Sequence, residues 1–502
     1  MLTGNRVSVR TVAPRPGNRV LSPTVCSSGN SNRPAAKVQA SAGATVESTK
    51  AAGAAEDTGR RCADTIAPDE LSRTVRAIIL AGGETKNPLS KYRAMPAVPI
   101  ASSLLLVDCP LNNCLRAGIN KMYVLTQFQS HMLNSHVSSC YPPARFGGPD
   151  KQGWVEVLAA QQTVTETEWY KGSADAIRKN IIELKDEARG ITPARDYLIL
   201  SGNAIYTMDF TDMLACHRAN NADITMATHS VGHEDALSKG IAQVDYRSGE
   251  LVDFVEKPDP DQLQRMIHHP QFASPGAEFE ANMGIYIFKR EALFKLLEPT
   301  TTTHIGFHMI PGAKREGMRI FAYPFRGYWR DVSSLKDYFD ANLDMAREPE
   351  LPLDLFQISN LVGIRGSMLP PATASEADLE NVVLGDGAYL VGVTARDSII
   401  GENVYVGRGS HLEECFLLGN AAYSSDSLRK AALARGERVY GVGENCQLRR
   451  CVVDENTTIG NNVKILNQEG VTEADRDDDG YMICNGITVV MRGATIPDGT
   501  VI

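Results

Sequence analysis

The C-terminal part of this 502-residue chain repeats one local signature, an apolar residue followed by glycine. It occurs at Leu384-Gly385, Val391-Gly392, Ile400-Gly401, Val406-Gly407, Leu418-Gly419, Val442-Gly443 and Ile459-Gly460. Strand-sized steps at about six-residue spacing are the mark of a parallel β-helix, in which each coil buries its side chains on the one before. The repeat predicts such a domain over 361–502. Residues 423–437 break the pattern and read as an inserted loop or helix. Residues 346–360, with Pro349, Pro352 and Leu355, read as a linker.

A different texture precedes the repeat. Residues 75–80 form an apolar run that ends in Ala81-Gly82-Gly83, the pattern of a buried parallel strand entering a loop. Further buried-strand runs lie at 121–125, 197–200, 222–226 and 284–288, with helical patterns at 174–187 and 208–219 among them. Alternating strands and helices predict an α/β domain with a mostly parallel sheet and helices on both faces, over 73–345.

Composition excludes several classes. The chain has 51 Lys and Arg against 60 Asp and Glu, a formal charge of −9, which argues against a nucleic-acid partner. No apolar stretch is long enough to span a membrane. The ten cysteines include no CxxC pair and read as thiols of a reducing compartment. Residues 1–50 carry Arg6, Arg10, Arg15, Arg19 and Arg33, many Ser and Ala, and a single acid, Glu47. That is the composition of an organelle transit peptide, so 1–72 are expected to be a targeting segment and lead-in outside the fold.

Ligands of open α/β sheets sit beyond the C-terminal strand ends. Gly82 and Gly83 would let backbone N–H groups approach phosphate oxygens. The loop matches neither GxGxxG nor GxxxxGK[ST], and a plain tight turn reads equally well. The strand at 197–200 ends in Ser201-Gly202-Asn203, where a carboxylate would be suited to hold Mg²⁺ beside a triphosphate but an asparagine stands. Asp331 is a lone carboxylate, a type that most often caps a helix.

Taken together, several strings resemble the ADP-glucose pyrophosphorylases (glucose-1-phosphate adenylyltransferases). They are Pro96-Ala97-Val98-Pro99-Ile100, Tyr123-Val124-Leu125-Thr126-Gln127-Phe128, Gly172-Ser173-Ala174-Asp175-Ala176, Phe254-Val255-Glu256-Lys257-Pro258 and residues 496–502. The resemblance runs from about Arg76 to Ile502. It implies a Rossmann-like nucleotidyltransferase domain followed by a left-handed parallel β-helix. With the N-terminal composition it implies the plastid stroma, starch biosynthesis and, from Gly443-Glu444-Asn445 and Asn461-Asn462-Val463, the large regulatory subunit of a heterotetramer with a catalytic small subunit. The ligands implied are ATP, glucose 1-phosphate and Mg²⁺, with 3-phosphoglycerate and phosphate as effectors.

Site residues follow from the same resemblance. Tyr170, Gly240, Glu256 and Lys257 match the sugar-phosphate pocket, with Asn282 in place of its serine. Gly82, Gly83, Gly202 and Gln162 match the nucleotide site. Asp331 matches one metal aspartate, and Asn203 replaces the other. Lys86 is an approximate stand-in for a missing triphosphate arginine in a loop two residues short, and a lysine facing the phosphates is replaced by Met95. An arginine gives way to Leu105, next to Asp108. Arg492 matches an effector cation, while the other effector segment carries Glu455 and Thr458 where a lysine and an arginine are expected, so that an anion would meet a carboxylate; Arg449 and Arg450 are the candidate compensating cations.

The losses all reduce positive charge or metal affinity near the triphosphate, and removing one such stabiliser costs about 10²–10³ in rate. The chain's own turnover is therefore expected to be low. Three readings stay open: a regulatory subunit, a working adenylyltransferase whose metal rests on Asp108 or Asp331, and a pseudoenzyme that binds sugar phosphate or partner proteins.

Overall fold

The structure, a computed structural model, describes residues 9–11, 66–83, 87–142, 146, 153–160, 169–185, 192–245, 247–266, 277–348 and 369–502. The apolar run at 75–80 forms the strand Val75–Leu80, which lies between Lys121–Thr126 and Asp196–Ser201 and parallel to both. Trp154–Ala159 extends the sheet in the same sense. Phe279–Lys289 runs antiparallel to Asp196–Ser201 and to Ile224–Val231, and Gly240–Val244 and Leu251–Glu256 close that edge. The result is a mostly parallel mixed sheet. Its central strands are apolar on both sides because both faces are covered: Ala77 and Ile79 belong to one core, Ile78 to the other.

Several boundaries differ from the sequence reading. The strand expected at 222–226 starts at Ile224 and continues to Val231. The helix expected over 174–187 is two pieces, Ser173–Lys179 and Ile181–Leu184. Asn180 divides them, its side chain donating to the Ala176 carbonyl and to the Tyr170 hydroxyl, both at 2.8 Å. The helix Phe210–Ala219 is capped by Asp209, whose carboxylate accepts the Thr211 N–H. At the far end, helix Leu335–Arg347 runs past position 345, and 349–368, most of the expected linker, lies outside the described residues. Helix Pro68–Thr74 starts ahead of position 73, and Val9–Thr11 pairs in parallel with Asp378–Leu384.

The C-terminal domain is a parallel β-helix. One sheet stacks Asp378–Leu384, Thr394–Ile400, His411–Leu417, Gln447–Val453 and Ile487–Val490. A second stacks Thr373–Ser375, Tyr389–Val391, Tyr405–Val406, Gly441–Val442, Thr458–Ile459 and Thr495–Ile496. The apolar-glycine signature now has a cause. Leu384, Val391, Ile400, Val406, Val442 and Ile459 each end a strand, and the glycine turns the corner. A Cβ on Gly401 would lie 2.5 Å from the Leu418 carbonyl oxygen of the next coil, so the stacking distance excludes a side chain there. The interruption contains the helix Asp426–Ala434.

One face of the β-helix packs on the first domain. Val383, Ile399, Phe416, Val452 and Val489 share a core with Leu89, Met95, Leu106, Ile205 and Phe339. The rings of Phe339 and Phe416 lie 4.8 Å apart.

Candidate functional site

Three loops meet beyond the C-terminal ends of Val75–Leu80, Lys121–Thr126 and Asp196–Ser201, where an open α/β sheet takes its ligand. Gly82 and Gly202 are there for steric reasons. A Cβ on Gly82 would lie 2.9 Å from Gln127 Cβ, and one on Gly202 3.0 Å from the Leu80 carbonyl oxygen. Gly202 also donates its N–H to that oxygen at 3.0 Å. Gly83 has φ +136 and open space beside it. Lys86 and Gln162 lie outside the described residues.

Of the sugar-phosphate candidates, Gly240, Glu256 and Lys257 are brought together. Gly240 pairs directly with Glu256 across an antiparallel ladder. A Cβ on Gly240 would stand 2.5 Å from Glu256 Oε2, and one on Gly306 would clash with the same oxygen. Two glycines from separate segments thus make room for one carboxylate. Among the described residues Glu256 Oε2 has no hydrogen-bond partner. Burial pushes the Glu256 carboxyl above its usual range, and Lys257 partly opposes the shift. Lys257 itself is exposed and sits at φ +50, its N–H on the Lys239 carbonyl at 3.0 Å.

Asn282 borders this pocket at a β-bulge, where the register of Phe279–Lys289 against Ile224–Val231 shifts between Asn282 and Tyr286. Its amide donates to the Tyr286 hydroxyl at 2.5 Å, and its Oδ1 accepts the Gly284 N–H at 3.0 Å. Burial, with the charge of Glu256 adding to it, pushes the Tyr286 hydroxyl upward. Tyr170 presents a hydroxyl held by Asn180. Burial, the neighbouring His308 and the Lys257 charge lower the pKa of His304. Tyr286, His304 and Gly306 were not among the sequence candidates: each reads as an ordinary core or loop residue until the fold sets it beside Glu256 or Lys257.

The nucleotide end is different in kind. Trp329–Asp331 pairs with Ala204–Tyr206, and the Val332 N–H bonds the Asn203 carbonyl at 2.8 Å, so Asn203 and Asp331 lie on facing segments as the sequence reading expects of a metal pair. Neither side chain is a free carboxylate. Asp331 Oδ2 is held by Lys239 Nζ at 3.3 Å and Oδ1 by Ser333 Oγ at 2.8 Å. Asn203 offers a neutral Oδ1, buried and without a hydrogen-bond partner among the described residues. Asp108, the alternative carboxylate, is fully committed: it accepts from His136 at 2.8 Å, Tyr141 at 2.7 Å and the Leu105 N–H at 2.8 Å. Burial, the largest single influence, works against a charged His136, but the bonds to Asp108 and Cys140 and their charges together outweigh it and raise its pKa to about 10. Mg²⁺ is usually held by one or two carboxylates beside substrate phosphates, and here the one carboxylate is already paired with a lysine and faces an uncharged amide, so the pair offers the cation no net negative charge and fits it poorly. Among the described residues no cluster of three or more His, Cys, Asp or Glu is placed to hold a metal. Met95 is buried in the core shared with the β-helix.

The effector candidates divide. Arg93, fully buried, pairs with Asp454 and reaches Glu455 Oε2 at 3.3 Å, and Arg492 binds the same carboxylate at 3.0 Å. Glu455 therefore lies between two guanidinium groups at the domain joint, where the sequence reading had it opposing an incoming anion. Thr458 accepts from Arg438 and bonds the Val439 carbonyl. Arg449 and Arg450 pair with Glu413 and Glu414 of the adjacent coil. They sit on the strand Gln447–Val453, whereas Glu455 follows its far end, and no contact links them to Arg492 among the described residues.

Comparison with known families agrees with this layout. Residues 76–348 match the nucleotidyl transferase family, and residues 367–501 match the GLGC left-handed parallel beta-helix domain. The first match alone covers more than half of the chain, and the second gives the coils their hand. With a strand-end ligand site in one domain and a glycine-cornered coil in the other, this chain belongs to the nucleotidyl transferase family and has the two-domain architecture of the ADP-glucose pyrophosphorylases.

Proposed function

We propose that this chain is a regulatory-type subunit of a glucose-1-phosphate adenylyltransferase, one that binds sugar phosphate and turns it over poorly by itself. In that reaction a phosphate oxygen of glucose 1-phosphate attacks the α-phosphorus of ATP in line. The new P–O bond gives ADP-glucose, and the broken bridge releases pyrophosphate. The protein's part is to position the two phosphates and neutralise their charge. The observation that carries the reading is a contrast within one site. The Glu256 carboxylate is buried, seated against two glycines, and one of its oxygens has no hydrogen-bond partner among the described residues, as a group awaiting sugar hydroxyls would be. The metal-type carboxylate Asp331 is already engaged by a lysine.

Within this proposal Lys257 meets the sugar phosphate as a point charge, with Tyr170 and Asn282 at the rim. Gly82 and Gly83 admit the nucleotide phosphates. The N-terminal composition supports plastid import and, with it, starch synthesis beside a catalytic small subunit in a heterotetramer. Response to 3-phosphoglycerate and phosphate is weak, because Glu455 already neutralises Arg492.

The test is ADP-glucose synthesis by the chain alone and mixed with a catalytic small subunit, with and without 3-phosphoglycerate. Little product alone, with altered effector response in the mixture, is the expected result. Turnover alone at the rate of a catalytic subunit would refute it.

A further inference from the structure

Lys239 stands at the meeting point of the two halves of the site. It directly precedes Gly240, whose Cα faces the Glu256 carboxylate, and its carbonyl oxygen holds the Lys257 N–H. Its side chain ends on Asp331 Oδ2 at 3.3 Å, on the strand that pairs with Ala204–Tyr206, the segment directly after Asn203. The ammonium also lies 5.1 Å from the centroid of the Trp329 ring, a second contact that favours a cation at that point. The lysine side chain is only 15% exposed and that of Asp331 31%. The other side chain suited by position to bind a metal, Asn203, is uncharged and has an unpartnered buried oxygen among the described residues.

We propose that the Lys239 ammonium, seated on Asp331, supplies the positive charge that a divalent cation supplies between two carboxylates, so that this site takes nucleotide phosphates without a divalent cation. Each charge is accounted for. Two carboxylates repel a polyphosphate, and a dication between them brings the site to neutrality. A site with one carboxylate needs only part of that charge, and a lysine on the remaining carboxylate leaves the pair neutral rather than repulsive. The ammonium has three donor hydrogens, and the Asp331 contact leaves others for a phosphate oxygen. The asparagine and the lysine are thus one change seen from two sides. The proposal rests on the reading of this cleft as a nucleotide and sugar-phosphate site.

Two measurements on the full chain separate the proposal from that reading. The first is Mn²⁺ binding without nucleotide, followed by electron paramagnetic resonance, for the wild type and for a Lys239→Met, Asn203→Asp double variant. The double variant should bind Mn²⁺ at least about tenfold more tightly than the wild type. Equal binding would overturn the proposal whatever the nucleotide does. The second is ATP affinity by calorimetry, in Mg²⁺ and in EDTA. The wild type should change by less than about twofold, while Lys239→Met in EDTA should lose about tenfold and Lys239→Arg should keep most of the affinity. A wild type that needs Mg²⁺, or a Lys239→Met variant that binds ATP in EDTA unchanged, would overturn it. A chain that binds no ATP under either condition would refute the nucleotide reading instead, and the Mn²⁺ result would still decide the role of Lys239.

Discussion

Two places in this molecule bury carboxylates beside basic side chains, and they do opposite things with them. At the domain joint, Arg93, Asp454, Glu455 and Arg492 pair with one another and leave each carboxylate with a cation. In the candidate sugar-phosphate pocket, Glu256 is also buried, yet one of its oxygens faces two glycines and no donor among the described residues, and its neighbour Lys257 points no bond at it. Leaving a buried polar atom unpaired costs about 1–3 kcal/mol, so a folded chain keeps such an atom only where something else compensates, and in a ligand cleft a ligand group is one such compensation. The joint spends its charges on one another, whereas Glu256 keeps an acceptor for a partner yet to arrive. Lys239 and Asp331 fall between the two: paired, as at the joint, but placed in the cleft.

The comparison breaks most readily at the joint. Arg93→Ala would leave Asp454 and Glu455 without their buried partner, and should cost about 3–5 kcal/mol in chemical unfolding, since removing one member of a buried pair strands the other charge. A loss under about 1 kcal/mol would mean that the joint is wetter than its burial indicates. The pocket should respond in ligand affinity instead. Glu256→Gln keeps the shape but removes the charged acceptor, and should weaken glucose 1-phosphate binding by about tenfold or more in calorimetry.

The same substitution sharpens the contrast through pH. Burial raises the folded-state pKa of Glu256 above its unfolded value. Below the unfolded value both states are protonated and no penalty exists. As pH rises from the unfolded value through the folded one, the unfolded state releases its proton first and native stability falls. Wild type should therefore lose stability relative to Glu256→Gln over that window, and the two unfolding curves should converge in acid. Curves that stay parallel at all pH values would mean that the carboxylate finds a partner in solution. The smallest effect is expected at the half-buried rim of the joint. Glu455→Gln frees Arg492 of a partner and should strengthen 3-phosphoglycerate binding by no more than about fivefold, the scale of one partly exposed ion pair.

The parts of the fold that were legible in advance are those written in local rules. The strand at Val75–Leu80 is recognisable because a central parallel strand must be apolar on both faces, and the coil corners because only glycine fits where adjacent coils touch. Helix ends were less legible. Asn180 breaks a sound helical pattern because its amide turns to Ala176 and Tyr170, a choice made by the surrounding pocket. Site residues divide in the same way. Gly240, Glu256 and Lys257 stand in motifs, whereas Lys239 and Gly306 have none. Met95 reads as a charge removed from the nucleotide site, yet it serves the core beneath the β-helix.

By itself, then, the sequence determined the order of two domains, the coil repeat, the strand ends that carry the ligand loops and the family. Each follows from side-chain periodicity or from a residue that its own backbone position requires, and such demands act over a few residues. Only the tertiary structure decided where charges are spent. Lys239 and Asp331 are 92 positions apart, and Arg93 and Asp454 are 361 apart. Whether a lysine faces water, a ligand or a carboxylate depends on which strand ends the fold lays side by side, and neither periodicity nor composition records that pairing.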